Sequence, residues 1–310
     1  MDDAQPLVSV VMPCYNATRT LAATLRSVLE QTWPAIEVLA VDDCSTDGTL
    51  GLLRAHEEGF GGRLRVIALE RNRGSAGARN AGIEAARGTY LALLDSDDVW
   101  SPDKTARQVA YLDQHPEAVL VGCKAREIHD DGSVVAVNGD RQPTLGPEAW
   151  RMMLRHSYFV PSLVMTRLEA ARAIGGFDTR RYVVDDQDFL IRLAMRGTVG
   201  MIDETLVTMG YSPASLSHRN RLREPELVLP MLHDLMDLAG ARLSAAERRA
   251  ILAVRLARLG RTIYPIMPSR GAGMLLRAAA GGEAPLANLA YLVTACPWLK
   301  PIKRLWRGTA

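Results

Sequence analysis

At 310 residues, with 48% hydrophobic and 23% charged residues, the chain has the composition of a soluble globular protein, with room for one large domain or two small ones. Its formal charge of +2 conceals an asymmetry: from residue 220 onward 14 Lys and Arg stand against 6 Asp and Glu, whereas 23 stand against 29 before it. The cysteines, Cys14, Cys44, Cys123 and Cys296, form no Cys-x-x-Cys pair and have no histidine at metal-ligand spacing, which argues against a cysteine metal site and fits a reducing cytosol.

The opening MDDAQPLVSVVMP is acidic and lacks the basic segment and long apolar run of a secretory signal, so it reads as leading straight into a strand. Short apolar, β-branched runs then recur at residues 8–12, 37–41, 65–69, 90–94 and 118–122, with helical patterns between them. Between the first two runs Leu21, Leu25, Val28 and Leu29 fall at helical spacing, with Asn16 or Thr18 as the cap and Trp33-Pro34 as the stop. Such alternation predicts a largely parallel sheet flanked by helices, with ligands beyond the carboxyl ends of its strands. Residues 123–160 predict hairpins or loops, with a turn at Asp130-Asp131-Gly132. From about residue 224 the pattern is helical, rich in Arg, Ala and Leu, and broken by Pro and Gly. The stretch 284–299 is interrupted by Asn288 and Pro297 and falls short of the roughly 20 residues a spanning helix needs, so no transmembrane helix is expected.

Polar clusters stand directly after the strand-like runs. Asp95, Ser96, Asp97 and Asp98 follow the fourth, and carboxylates that close call for a counter-cation; Mg2+ or Mn2+, shared with substrate phosphates, fits. Asp98 alternatively caps a helix starting near Ser101-Pro102. After the second run, Asp42-Asp43-Cys44-Ser45-Thr46-Asp47-Gly48 reads as a capping loop, in which Asp43 also suits the N3–H of a uracil base and nearby Tyr15 offers a ring face. Asn72-Arg73-Gly74-Ser75-Ala76-Gly77-Ala78-Arg79-Asn80 opens an Ala-rich helix whose free amides favour an anion, with Arg79 one turn in and facing a diphosphate. The Gly and Ala also suit close helix packing. It is neither a dinucleotide-binding nor a Walker loop. Far downstream, Gly175-Gly176-Phe177-Asp178 precedes Val184-Asp185-Asp186-Gln187-Asp188, where acidic residues enter an apolar helix. Helical geometry puts Asp185 and Asp188 on one side and turns Asp186 about 100° away. These carboxylates suit either a general base or a helix N-terminal cap.

Taken together and in this order, the motifs resemble the family 2 glycosyltransferases over roughly residues 6–220. The pieces that carry the likeness are Val10-Val11-Met12-Pro13-Cys14-Tyr15-Asn16, Val41-Asp42-Asp43-Cys44-Ser45-Thr46-Asp47-Gly48-Thr49, Asn72-Arg73-Gly74 with Ala78-Arg79-Asn80, Leu94-Asp95-Ser96-Asp97-Asp98, Gly175-Gly176-Phe177-Asp178 and Asp185-Asp186-Gln187-Asp188. The resemblance implies an α/β GT-A fold, Rossmann-like and mostly parallel, with a nucleotide-sugar-binding half at 1–122, an acceptor and catalytic half at 123–222, and a basic helical appendage at 223–310. It implies that Pro13, Tyr15 and Asp43 hold the nucleoside of a nucleotide-sugar donor, UDP favoured, with Asn16, Arg79, Asp95 and Ser96 completing the donor site. Asp97, with Asp95, would hold the metal, and Asp186 would be the base of an inverting transfer. The family's last motif usually reads Glu-Asp, and Asp185 in the Glu place leaves both Asp185 and Asp186 as base candidates. Ser215-Leu216-Ser217-His218-Arg219 loosely resembles a further family loop and makes His218 a candidate for metal or diphosphate.

The expected acceptor is a hydroxyl of a saccharide or lipid-linked saccharide in polysaccharide or cell-surface glycan synthesis. Arg255, Arg258 and Arg261 among leucines, with Trp298, Lys300, Lys303, Arg304 and Trp306, suggest an amphipathic surface for anionic lipid, and hence a cytoplasmic protein peripheral to the inner face of the membrane. The same helices offer a surface for homo-oligomerisation, and no nucleic-acid partner is implied. A sugar nucleotidyltransferase would want a Gly- and Arg-rich triphosphate loop where Pro13-Cys14-Tyr15-Asn16 stands. A non-catalytic sugar-nucleotide-binding scaffold is the other alternative.

Overall fold

The computed structural model describes residues 5–129, 132–137, 146–210, 219–282 and 288. The chain divides into two units, one of residues 1–153 with 157–213 and one of residues 154–156 with 214–310. The first is built on strands β1 (Val8–Cys14), β2 (Ile36–Asp42), β3 (Leu64–Ala68), β4 (Tyr90–Leu93), β5 (Asp98–Trp100), β6 (Ala118–Ile128), β7 (Val134–Val137), β8 (Met165–Arg167) and β9 (Thr198–Gly210). They form one sheet in the order β3, β2, β1, β4, β8, β6, β9, β5, with β7 a hairpin partner of β6. β3, β2, β1 and β4 run parallel, as do β6 and β9, whereas β8 and β5 pair antiparallel with their neighbours.

The helices explain why the strands read as unbroken apolar runs. α1 (Leu21–Leu29), α2 (Thr49–Glu57), α3 (Gly74–Ala85), α4 (Lys104–Gln114), α5 (Ala149–Arg155), α6 (Leu168–Ala173) and α7 (Asp185–Ala194) follow or separate the strands. Every residue of β2 and β4, and all of β1 but Pro13, is buried, as expected of parallel strands covered on both faces. α1 buries Leu21, Leu25 and Val28 at one-turn spacing. Its predicted caps are occupied elsewhere: Thr18 Oγ1 donates to Asp47 Oδ2 at 3.0 Å, and Asn16 Oδ1 accepts from the Thr46 amide at 2.9 Å. Thr20 stands at the N-cap and sends its hydroxyl to the Ser96 carbonyl at 2.8 Å instead of to the helix. Asp98 likewise caps nothing: it is a buried strand residue, and α4 begins after Asp103.

Because β1 has β2 on one side and β4 on the other, the strand order reverses there, and their carboxyl ends open one crevice. Cys14 and Asp42 are register partners at that end. α3 lies close against β1, since a Cβ on Gly82 would come within 2.4 Å of Val11 Cγ1.

The second unit contains α8 (Glu224–Ala239), α9 (Ala245–Ile263) and α10 (Pro268–Ala280). α9 opens with a capping box in which Ser244 and Glu247 satisfy each other's amides. Arg255, expected on an exposed basic face, is buried: its Nε donates to the Leu154 carbonyl at 2.7 Å, and burial, reinforced by Arg258, pulls its pKa down to about 9. A guanidinium sealed in this way is a packing element and not part of a surface. Arg258 and Arg261 are exposed as expected, whereas Trp298, Lys300, Lys303, Arg304, Trp306, His218, Cys296, Asp130 and Asp131 lie outside the described residues. Among the described residues no helix is long and apolar enough to cross a membrane.

The α3 contact on β1 is directly testable. Gly82→Ala should destabilise the fold by about 1–3 kcal/mol through overpacking, and adding Val11→Ala should recover part of that loss; chemical denaturation of the single and double variants measures both.

Candidate active site

The crevice is walled by two loops that are stitched together. The Asn16 amide donates to Ser45 Oγ at 3.1 Å, the Thr46 amide returns a bond to Asn16 Oδ1, and the Ala17 amide donates to Thr49 Oγ1 at 2.8 Å. Asn16 (φ 51°) and Cys44 (φ 61°) hold left-handed backbone in these loops, and Val183 (φ 71°) does so just before α7. Among the described residues these are the non-glycine positions of positive φ, and all three flank catalytic-site candidates. Tyr15 stands 51% exposed directly after β1's last residue, and Pro13, within β1, is half-buried.

Asp43 is buried. Its Oδ1 accepts from the Arg73 amide at 2.6 Å, and its carbonyl accepts from Asn72 Nδ2 at 3.0 Å. Asp43 thus joins the loop after β2 to the turn that opens α3. Burial raises its carboxyl pKa, against the lowering effect of the Arg73 and Gly74 amides.

The carboxylate loop after β4 is held from several sides. The Asp95 amide donates to Ser162 Oγ at 3.0 Å, the Ser96 carbonyl accepts from Thr20 and Thr24 hydroxyls, and Trp100 Nε1 donates to the Ser162 carbonyl at 3.0 Å. Behind Trp100 lies Lys104, fully buried, with Nζ 3.9 Å from the indole centroid and 2.7 Å from Gln108 Oε1; burial pulls its pKa down to about 8. The three carboxylates differ in setting. Asp95 accepts from Arg79 Nη2 at 2.7 Å; Asp97 is exposed to the crevice; Asp98 is buried. Desolvation among the surrounding protein atoms and then repulsion from Asp95 raise Asp97, and burial, Asp95 and Asp97 raise Asp98 further.

Arg79 is the hinge of the site. Rooted in α3 and buried, it sends Nη2 to Asp95 and Nη1 to Asp185 Oδ2 at 2.9 Å, and its guanidinium lies 5.3 Å from the Phe177 ring centroid. Its burial disfavours the charge, but Asp95 and Asp185 more than offset that, so its pKa is held above the ordinary arginine value. Its neighbour Asn80 reads the Gly175-Gly176-Phe177 turn through both backbone groups of Phe177, at 2.8 Å each. Gly176 has φ +68°, and a Cβ there would come within 2.5 Å of Asn80 Oδ1, which explains why glycine stands in that turn.

The acidic start of α7 separates as its geometry predicts. Asp185 and Asp188 are buried, the former on Arg79 and Ser75, the latter on Arg192 at 2.7 Å. Asp186 is half-buried, makes no ion pair with Arg79, and accepts from the Gln187 amide at 2.7 Å. Desolvation and then the neighbouring Asp185 charge lift its pKa to about 7, against the opposing pull of Arg79. The sequence reading had no role for Ser162, Lys104 or Ser75: a buried serine in the segment before β8 and a lysine in an ordinary helical stretch carry no local pattern. Among the described residues no three His, Cys, Asp or Glu side chains converge as a ready-made metal cage.

Comparison with known proteins places this geometry. The sequence model described as Glycosyl transferase family 2 matches residues 9–160. EpsE of Bacillus subtilis, named as a glycosyltransferase, is 32% identical over 197 residues, which are 63% of this chain and 69% of EpsE. TuaG of the same organism, named for teichuronic acid biosynthesis, is 46% identical over 112 residues, 36% of this chain and 44% of TuaG; the chain thus spans less than half the length of that relative. The architecture matches residues 1–349 of S. aureus TarS in complex with UDP-GlcNAc, with TM-score 0.69 and 21% identity over 89% of this chain and 81% of that fragment. It also matches the mannosyltransferase PcManGT of Pyrobaculum calidifontis with GDP-Man and Mn2+, with TM-score 0.64 and 24% identity over 97% of this chain and 83% of that protein. The fold is therefore GT-A.

If Arg79 is the cation that keeps Asp185 buried and holds half-buried Asp95, Arg79→Met should cost about 3–5 kcal/mol. Arg79→Met with Asp185→Asn should recover much of that loss, a double-mutant cycle read by denaturant unfolding.

Proposed function

This chain belongs to glycosyl transferase family 2, and from that premise we propose that it transfers a sugar from a nucleotide diphosphate, UDP by preference, to a hydroxyl of a saccharide or lipid-linked saccharide, inverting the anomeric centre. The observation that carries the reading is the Arg79 bridge, which fastens the carboxylate loop after β4 and the acidic start of α7 to the same helix turn at one crevice.

In this reading Tyr15 stacks on the base and Asp43, at the floor of the mouth, accepts from it, with Pro13 beneath and Asn16 holding the wall. The divalent cation, Mg2+ or Mn2+, falls to Asp97 with Asp95. The donor set fits: both are hard oxygen ligands, Asp97 faces the crevice, and the repulsion between them is what a cation relieves. Donor phosphates would complete its shell. Bound there, the ion neutralises charge on the departing diphosphate, so the protein needs no general acid. His218 stays a candidate for the same diphosphate.

Asp186 takes the proton from the attacking hydroxyl. Asp185 is committed to Arg79 and Ser75, which leaves Asp186 as the carboxylate placed to accept. Arg79 holds Asp185 in register and moderates the negative field that Asp185 and Asp95 impose on Asp186. A carboxylate poised near neutrality is well matched to proton transfer at physiological pH.

Two measurements test the reading. Release of nucleoside diphosphate from a panel of nucleotide sugars should require a divalent ion and fall at least about a hundredfold in Asp97→Ala; metal-independent release untouched by that change would sink it. Transfer catalysed by the unaltered chain should rise with pH through about 7, as Asp186 loses its proton, and Asp186→Asn should abolish transfer while leaving donor binding by calorimetry intact. Transfer retained in Asp186→Asn but lost in Asp185→Asn would move the base to Asp185.

A further inference from the structure

The second unit carries a surface that the transfer chemistry does not use. Residues 248–282 contain seven arginines and no Asp, Glu or Lys. The structure sorts these arginines. Arg248 pairs with Asp237 at 3.0 Å and Arg270 with Glu226 at 2.9 Å, both acids of α8, and Arg255 is buried. Arg249, Arg258, Arg261 and Arg277 are exposed, and Arg258 and Arg277 have no ion-pair partner among the described residues.

α9 and α10 form a tight hairpin. A Cβ on Gly271 would come within 2.4 Å of Tyr264 Cα, and one on Gly260 within 2.8 Å of Leu275. Packing that close leaves the connecting turn nowhere to bury its side chains. Ile266 is 52% exposed and Met267 40%, flanked by exposed Pro265 and Pro268. Along α10 the exposed residues Ser269, Gly273, Leu276, Arg277 and Ala280 recur at one-turn and two-turn spacing, so small and apolar side chains continue from the turn along one stripe. Leu276, in that stripe, is 51% exposed.

We infer that the α9–α10 turn docks on an anionic lipid bilayer, with Ile266, Met267 and Leu276 entering the headgroup boundary and Arg258 and Arg277 meeting lipid phosphates. Charge complementarity selects that occupant: the apolar turn and stripe belong to a segment, residues 248–282, that contains seven arginines and no acid, and arginine engages phosphate through paired donors. Exposed apolar residues within an arginine-rich, acid-free segment are the composition of an interfacial anchor, and each basic residue near an anionic surface adds attraction that salt weakens. The proposal does not depend on the sugar-transfer reading.

The test is co-sedimentation of the full chain with vesicles of phosphatidylglycerol and phosphatidylethanolamine against vesicles of phosphatidylcholine alone. Binding should favour the anionic vesicles and weaken with salt. It should fall about tenfold or more both in Ile266→Asp with Met267→Asp and in Arg258→Glu with Arg277→Glu, while far-ultraviolet dichroism and release of nucleoside diphosphate stay unchanged. Equal binding to both vesicle types would overturn the proposal. So would anionic binding that survives both double variants, which would assign it to the basic residues beyond 283. Light scattering that shows these changes dissolving an oligomer, with vesicle binding unchanged, would make the turn a contact between copies instead.

Discussion

The site depends on one buried cation shared by two carboxylates that come from distant parts of the chain. Arg79 is planar and offers donors in two directions, so one side chain holds both Asp95 and Asp185; a lysine in its place would offer a single point charge. Burying an arginine is costly, and here the cost is met by two acids at once. The adjacent Asn80 fixes the Phe177 turn, and Gly82, two residues further along the helix, lets α3 sit against β1. A single stretch of α3 thereby sets the distance between the Asp95 loop and the start of α7.

Asp185 and Asp186 show how two identical side chains in sequence acquire different chemistry. Each lies at the start of α7, yet the rotation between consecutive helical positions points one at Arg79 and turns the other away. The paired acid is spent on structure. Its charge then acts on its neighbour, and together with desolvation it lifts Asp186 towards neutrality. The family's Glu at the first of these places is replaced here by Asp, and the shorter side chain still reaches Arg79 and Ser75.

Much of this was legible in the sequence because it depended on short-range pattern. The apolar runs became β1 to β4 and the start of β6; β1, β2 and β4 were plainest, since buried parallel strands have no polar face to disguise them. The crevice residues were legible because they follow those runs directly. The caps were misplaced: Asn16 and Thr18 are good capping residues, but tertiary bonds to Thr46 and Asp47 claimed them. Arg255 was misread because helical periodicity marks a face without saying whether another segment covers it. Ser162 and Lys104 left no signal, as their importance comes from partners that only the fold brings near.

The carboxylate loop is also anchored by β5, whose one sheet partner among the described residues is β9, with Asp98 opposite Met209 and Trp100 opposite Val207. That pairing has a consequence for the order of events as the chain emerges from the ribosome. β1 to β4 can assemble once the first ninety or so residues are out, but β5 has no edge to join until β9 has been made, and closing so long a loop is entropically slow. The nascent chain therefore carries an acidic, unfinished loop through much of its synthesis, and the loop's final geometry should be gained late and abruptly.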